Sequence, residues 1–582
     1  MFSRMQALWP VMALATTVAA AIPASAQEPP RPVLLPEGSP IPRIMPPQQP
    51  SVSPGALVPP PTGPAGPVPE VPVTIRSVAI EGATQYPTAE LMRLADGLVG
   101  EAVPLPRVDA ARQAILRRYR DDGFVLTAVS AALDANGNLR FRVTEGRIAD
   151  VKLDGDIGPA GTQVLRFLNR LTEEKVIDSR TLERYLLLAQ DVPGVALRAI
   201  LKPSTDEPGA LTLVAQVSRR PVTGLFTSDN RAFNLTGPEQ GLGVVDFNSF
   251  TEYGERTQVS LYRTYNNTQL FGQVSTEVFL GASGLKLRVY GGAGSSDPSG
   301  SLRAIGYQGQ TTVFGGELAY PLIRSRQQTL NLYGTFDALE SIVNQNTGVN
   351  GSSARVTFDS LRVVRGGVGY ALSDLWLGDE RPAVNAVSVR VSRGLPWFGA
   401  SPNGAALNAR LGERVDFLKA SFDITRTQNL FQPWNGAGLA LMGILSGQVS
   451  PNVLPPAEKF FLGGSRITRG FYSGQVTGDN ALAATVELQL NTAVNTQLLG
   501  YGADVSLQFY GFYDWGETWE NQKSDPNRRL QSFGGGVRMM LTPYTEVDLE
   551  GVRRLTVYPN GSSTGISALP NTAFYWRVLT RF

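Results

Sequence analysis

The 582-residue chain has no cysteine and no histidine. That double absence removes Cys/His zinc sites, the HExxH metalloprotease helix, and Ser-His-Asp or Cys-His nucleophile systems. The dipeptide Gly-Lys is also missing. A Walker A phosphate loop, whose lysine follows a glycine, is therefore excluded. Carboxylate-only chemistry, as in a glycosidase, stays open on residue types alone. No catalytic, cofactor-binding or metal-ligating residue stands out, and the chain is read as a non-enzyme without a cofactor. Charge of one sign is not in excess either: 52 basic against 50 acidic residues leave +2. With no run of five or six like charges, the chain offers nucleic acid no electrostatic footprint. Beyond the N-terminus no stretch reaches the roughly 18 uninterrupted apolar residues of a spanning helix.

What is present begins with "MFSRMQALWPVMALATTVAAAIPASAQ". Arg4 supplies a charged start, an apolar run follows, and Ala24-Ser25-Ala26 has the small-x-small form of a cleavage site. Residues 1–26 are read as a signal peptide rather than an anchor, because Pro10 and Pro23 break the run. Residues 27–72 are crowded with proline, as in "PVLLPEGSPIPRIMPPQQP", and read as an extended spacer, a partner-binding proline motif being the rival. Two segments of one grammar follow, 73–146 and 147–220, each strand, helix, helix, strand, strand. In the first, "VTIRSVAIEG" is a strand, two amphipathic helices follow, and a hairpin closes over Asn136-Gly137. A repeat of roughly 73 residues suits two small α+β domains in tandem.

From 221 to 582 the helical period disappears and short alternating segments take over. In "LKLRVYG", Leu285, Leu287 and Val289 share one face while Lys286, Arg288 and Tyr290 share the other. Sixteen such segments can be counted, near 221-229, 241-250, 256-265, 269-280, 284-294, 309-322, 328-339, 361-373, 384-394, 415-427, 436-447, 481-491, 503-514, 531-541, 544-555 and 573-582. An even number of strands near ten residues long fits a 16-stranded antiparallel transmembrane β-barrel. A soluble sandwich is the bland alternative. Against it stands the chain end "AFYWRVLTRF", where Phe574, Trp576, Val578, Thr580 and Phe582 share an outward face, and Tyr575, Arg577, Leu579 and Arg581 an inward one. Phe582, a terminal aromatic, resembles the signal read by the barrel-assembly machinery.

Between the eleventh and twelfth strands lies the longest connection, 448–480, containing "FLGGSRITRGFYSGQVTGDN". A structureless loop of that length is usually functional or disordered. Phe460, Phe461, Phe471 and Tyr472 would be poorly placed in water, so the loop is expected to fold back into the lumen. There the Arg469 guanidinium needs a carboxylate. In "VSLQFYGFYDWGE", Val505, Leu507 and Phe509 face lipid, leaving Ser506, Gln508, Tyr510, Phe512 and Asp514 inward. Asp514 is one candidate partner and Glu487, inward on the neighbouring strand, is a rival; a solvated Asp514 at a strand end is the bland alternative.

With these residues the sequence resembles the two-partner secretion transporters, TpsB or haemolysin secretion/activation proteins of ShlB/FhaC/HecB type, within the POTRA-barrel superfamily. Arg469, Gly470 and Phe471 fit the family's sixth-loop Arg-Gly-Tyr/Phe motif. Phe512, Asp514 and Gly516 fit its Phe-x-Asp-x-Gly strand motif. The resemblance implies that Arg469 and Asp514 bond inside the barrel, and that the tandem domains are POTRA-like. It also implies a Gram-negative outer-membrane location with those domains in the periplasm, and export of a large unfolded TpsA-like exoprotein to the cell surface. The plug helix of some relatives is not expected in 27–72, where proline is too frequent. A barrel-assembly factor and a passive porin are the competing functions.

Overall fold

The computed structural model describes residues 70–204, 207–346, 352–498, 501–559 and 568–582. The expected signal peptide and all but the end of the proline-rich segment lie outside these residues. No helix among the described residues is long and apolar enough to cross a membrane.

The first α+β unit contains β1 (Pro72–Ile75), β2 (Ser77–Glu81), α1 (Thr88–Leu94), β3 (Gly100–Pro104), α2 (Leu105–Asp121), β4 (Ala128–Leu133) and β5 (Asn138–Thr144). "VTIRSVAIEG" is two strands, not one. It breaks at Arg76, whose N–H bonds the Gly137 carbonyl at 2.7 Å; β1 then pairs with β3, while β2 runs parallel to β5. The partner β3 starts at Gly100, the last residue of the segment expected as the first helix, and runs through the connection that follows it. Helix α2 buries Val108, Ala111, Ile115, Leu116 and Tyr119 against the sheet, a helical spacing that explains the amphipathic pattern.

The second unit repeats the plan with β6 (Arg147–Asp154), α3 (Ala160–Leu168), α4 (Ser179–Gln190), β7 (Val195–Pro203) and β8 (Ala210–Arg219). Asp178 caps α4 by accepting from the N–H groups of Arg180 and Thr181. The sheet orders β2-β5-β4 and β6-β8-β7 correspond strand for strand, so the repeat in the sequence is a repeat of topology.

The barrel comprises β9 (Val222–Asp229), β10 (Gln240–Asn248), β11 (Arg256–Thr264), β12 (Gln269–Phe279), β13 (Lys286–Ser296), β14 (Gln308–Arg324), β15 (Gln328–Asn346) and β16 (Ser353–Asp374). It continues with β17 (Ala383–Gly394), β18 (Leu418–Phe431) and β19 (Gly438–Val449). A short pair, β20 (Phe460–Leu462) with β21 (Val476–Gly478), interrupts the ring. The wall then resumes as β22 (Asn480–Leu498), β23 (Tyr501–Trp519), β24 (Arg528–Met540), β25 (Thr545–Arg554) and β26 (Thr572–Arg581). Among the described residues sixteen strands form one closed antiparallel ring, with β26 against β9.

Alternation sorts the side chains. Leu261, Val274, Phe314, Val389, Phe509 and Phe574 are exposed on the outside, whereas Tyr510, Phe512, Asp514 and Tyr575 are buried. Val505, expected on the lipid face, is buried. The pair β15 and β16 is much longer than expected, because it stays zipped to Asn346 opposite Ser353. The added residues are mostly polar, with Ile342, Val343, Val356 and Phe358 among them out of a sustained alternation, so the period could not mark them.

The closing seam is short, with five register pairs from Arg577↔Asp229 to Arg581↔Leu225. Above it the Asn230 side chain stands in for a strand, accepting from the Trp576 N–H and donating to the Phe574 carbonyl, both at 3.0 Å. Phe582 is exposed at the other end of the seam; its ring lies over Gly224, with which it exchanges two backbone bonds.

The second α+β unit is fastened to the barrel. Phe279 of β12 belongs to that unit's apolar core and meets Phe167 edge to face, with centroids 5.1 Å apart. Buried Gln163 donates to the Gly281 carbonyl at 2.9 Å. Arg324, at the end of β14, forks onto Asp191 with bonds of 2.8 and 2.9 Å. This fork is partly exposed, so Asp191→Ala should weaken docking by on the order of 1–2 kcal/mol. The expected result is faster protease cleavage between β8 and β9 with unchanged heat-modifiable mobility of the barrel.

Candidate functional site

The connection from β19 to β22 turns back into the barrel. Its Leu462, Thr468, Arg469, Phe471, Val476 and Asp479 are buried. Part of the reason is apolar: Leu462, Ile467, Phe471 and Val476 form a cluster with Ile444, Ala483 and Leu530 of the wall. Burying side chains of this size contributes about 1.5–3 kcal/mol each, more than the β20–β21 hairpin alone could supply in water.

The polar half of the site centres on Arg469. Its Nη2 lies 3.2 Å from Asp514 Oδ1 and its Nε 3.3 Å from Oδ2, while its backbone N–H donates to Oδ2 at 2.6 Å. The other edge, Nη1, bonds Glu487 Oε2. The Cζ of the guanidinium lies over the Phe512 ring, 3.7 Å from its centroid, a cation–π contact. Strand register produces this arrangement: Glu487 of β22 stands directly opposite Phe512 of β23, two residues from Asp514. The two candidate carboxylates are thus joint partners, because a guanidinium has two hydrogen-bonding edges.

Two carboxylates around one arginine would leave a buried negative charge. Arg538 of β24 removes it, bonding Glu487 at 2.8 and 3.1 Å while lying over the Tyr510 ring. The Tyr510 hydroxyl lies between two carboxylates, 2.7 Å from Asp548 and 3.0 Å from Glu550, and its one proton serves either of them. Glu550 pairs with Arg231, which follows β9, and Arg231 returns to the loop by donating to the Arg469 carbonyl at 2.7 Å. The next carbonyl, of Gly470, accepts from Arg554 Nε and from the Tyr575 hydroxyl at 3.0 Å. The network is a closed circuit from loop to wall and back, which satisfies groups that would be costly to bury unpaired.

Both motif glycines mark close approaches. A Cβ on Gly470 would stand 2.5 Å from Ser532 Cβ, and one on Gly516 would stand 2.8 Å from Thr468 Cγ2. Thr468 itself has φ +49°, an uncommon conformation for a β-branched residue. Its hydroxyl accepts from the Gly463 N–H at 2.7 Å, which holds the turn that aims Arg469. The loop's stem is tied separately: Glu458 bonds Arg365 of β16 and Lys419 of β18, Asp479 bonds Arg410, and Lys459 bonds Glu520.

The structure therefore brings together Arg469, Gly470, Phe471, Phe512, Asp514 and Gly516, and leaves Phe582 at the seam, apart from them. Sequence reasoning missed Arg231, Arg538, Glu550 and Arg554. Alternation along β24 and β25 carries a signal for the last three. Arg231 sits in a turn and has none.

A family model described as haemolysin secretion/activation protein ShlB/FhaC/HecB matches residues 210–539. A model of the ShlB-type POTRA domain matches residues 73–146. No curated protein matches the chain. Among solved structures, CdiB from Escherichia coli is 19% identical, with 90% of this chain and 93% of that one covered at a TM-score of 0.67. CdiB from Acinetobacter baumannii is 17% identical, with coverages of 88% and 90% and a TM-score of 0.59. BamA from Haemophilus ducreyi lacking POTRA domains 1–3 is 12% identical, with coverages of 88% and 100% and a TM-score of 0.51. At these identities the likeness is one of fold.

Removing one member of the buried cluster strands the others. Arg469→Ala or Asp514→Ala should each free the loop at a cost of about 3–5 kcal/mol. Limited proteolysis after Arg466 should report it, while heat-modifiable mobility shows an assembled barrel. The double alanine variant should cost less than the sum of the two. Gly470→Ala should free the loop with every charge in place, because Ser532 belongs to the barrel wall and has little room to retreat.

Proposed function

The chain belongs to the haemolysin secretion/activation family of ShlB/FhaC/HecB type, an outer-membrane β-barrel with its POTRA domain in the periplasm, and from that premise we propose that it exports a large, unfolded TpsA-like exoprotein to the cell surface through its lumen. The observation that carries this reading is the re-entrant loop, held by charges inside a polar lumen. A loop fixed in the conduit by a neutralised buried cluster is a part of a transport path, and a passive porin has no use for the two α+β units below it.

Recruitment falls to those units. Their sheets end in edge strands, β2 and β4 in the first and β6 and β7 in the second. An extended cargo segment can add to such an edge by backbone hydrogen bonds, with modest affinity because the segment must be ordered on binding. The rigid docking of the second unit through Phe279 and Arg324 delivers a captured segment to the barrel mouth at fixed geometry. No Walker A loop exists in the chain, so direction comes from outside it, for example from cargo folding at the surface. Insertion of the barrel itself falls to the assembly machinery reading Phe582.

The test is export of a large secreted protein encoded beside this chain. Arg469→Ala and Asp514→Ala should each lower surface delivery on the order of tenfold or more, as expected when a buried pair is broken. Arg469→Lys should restore only part, since an ammonium cannot form the fork. Deleting both α+β units should abolish delivery. Full export without those units would overturn the recruiting role. Loss of other outer-membrane barrels in a strain lacking the chain, with cargo export intact, would instead identify an assembly factor.

A further inference from the structure

The loop tip carries two arginines three residues apart, and they end on different strands of the wall. Arg469 reaches β22 and β23. Arg466 turns the other way and closes a two-pronged ion pair on Asp423 of β18, with Thr425 Oγ1 3.3 Å from its Nη2. Between them stands Thr468 with its positive φ. The tip thus arches over a cavity of about 370 Å³, flanked by Thr425 and Met442 on one side and by Asp229, Asp548 and Arg577 on the other.

The two attachments differ in what breaking them costs. Side-chain exposure is 3% for Arg469 and 0% for both of its carboxylates, against 36% for Arg466 and 20% for Asp423. Separating the first set leaves charges without water or partner. Separating the second returns two partly exposed groups to the lumen, at a smaller cost than that of the buried set. Asp423 also keeps the Ser446 hydroxyl, at 2.6 Å, after Arg466 has gone.

We propose that the Arg466–Asp423 pair is a releasable latch: when it opens, the tip swings off β18 about the fixed Arg469 anchor and widens the passage over the cavity. The proposal rests on the reading that cargo travels through the lumen.

Ion conductance of the full chain in a planar bilayer tests the latch without cargo. Arg466→Gln and Asp423→Asn should each raise the ratio of open to closed time about two- to fivefold, the range a partly exposed ion pair can hold. The charge-exchanged Arg466→Asp/Asp423→Arg variant should return the ratio toward that of the parent. Because the chain has no cysteine, Arg466→Cys with Asp423→Cys can be bridged by a short, reducible bis-methanethiosulfonate. Bridging should suppress both the open state and export, and reductant should restore both. Unchanged conductance in both neutral variants, or a bridged barrel that opens like the reduced one, would overturn the latch. A bridged barrel that no longer opens yet exports at the parent rate would uphold the latch and overturn the lumen as the route.

Discussion

The arrangement inside the barrel depends on one planar cation. Once the Arg469 guanidinium is in the lumen it needs two carboxylate edges and a flat surface, and the register of β22 against β23 provides Glu487, Asp514 and Phe512 within one turn of the pleat. The rest follows as compensation. Arg538 balances the second carboxylate, Tyr510 carries the network to Glu550, and Arg231 and Arg554 take up the loop carbonyls that the turn leaves bare. Each of these groups would be expensive to bury alone. Together they make the lumen a better solvent for the loop than water.

A second constraint acts at the two ends of the barrel. Strand pairing leaves no free edge in the ring, but the seam between β26 and β9 has only five paired positions, so a side-chain amide and the terminal Phe582 complete it. The second α+β unit, for its part, takes Phe279, the last residue of β12, into its own core. A unit whose core is shared with the barrel cannot tumble freely beneath it, and this distinguishes it from a domain on a flexible linker.

Much of this was legible in the sequence, for physical reasons that also fix the limits. Period-two alternation exposes which residues face inward, so sixteen strands and the inward Asp514 and Phe512 could be read, while the re-entry of Arg469 rested on the length of its loop and on aromatic rings that water would not favour. Alternation does not reveal which inward residues meet, because that depends on register across strands distant in sequence. Glu487 therefore stood as a competitor to Asp514 when it is its companion, and Arg538 and Glu550 went unnoticed. Alternation also fails where polar residues break the period, as at the ends of β15 and β16 near Asn346 and Ser353. The break at Arg76 escaped for a related reason: both β1 and β2 are apolar enough for one strand, and only their different partners separate them.

The distribution of burial along the loop limits how it can move. Its stem is fixed at both ends by ion pairs, through Glu458 to β16 and β18 and through Asp479 to Arg410, and Lys459 is wholly buried against Glu520. Its far side is fixed by Arg469 and by the Phe471 cluster. What remains is the tip at Ser465 and Arg466, between Gly464, whose backbone bonds Phe471 and Arg231, and the buried Ile467 and Thr468; its outward bond is the partly exposed ion pair with Asp423. A rearrangement confined to that tip exchanges one partly exposed pair for water, whereas withdrawal of the whole loop would require every buried charge in the circuit to separate at once. Any opening of the lumen that leaves the barrel intact is therefore cheapest as a small swing of the tip, with the arginine cluster serving as its pivot.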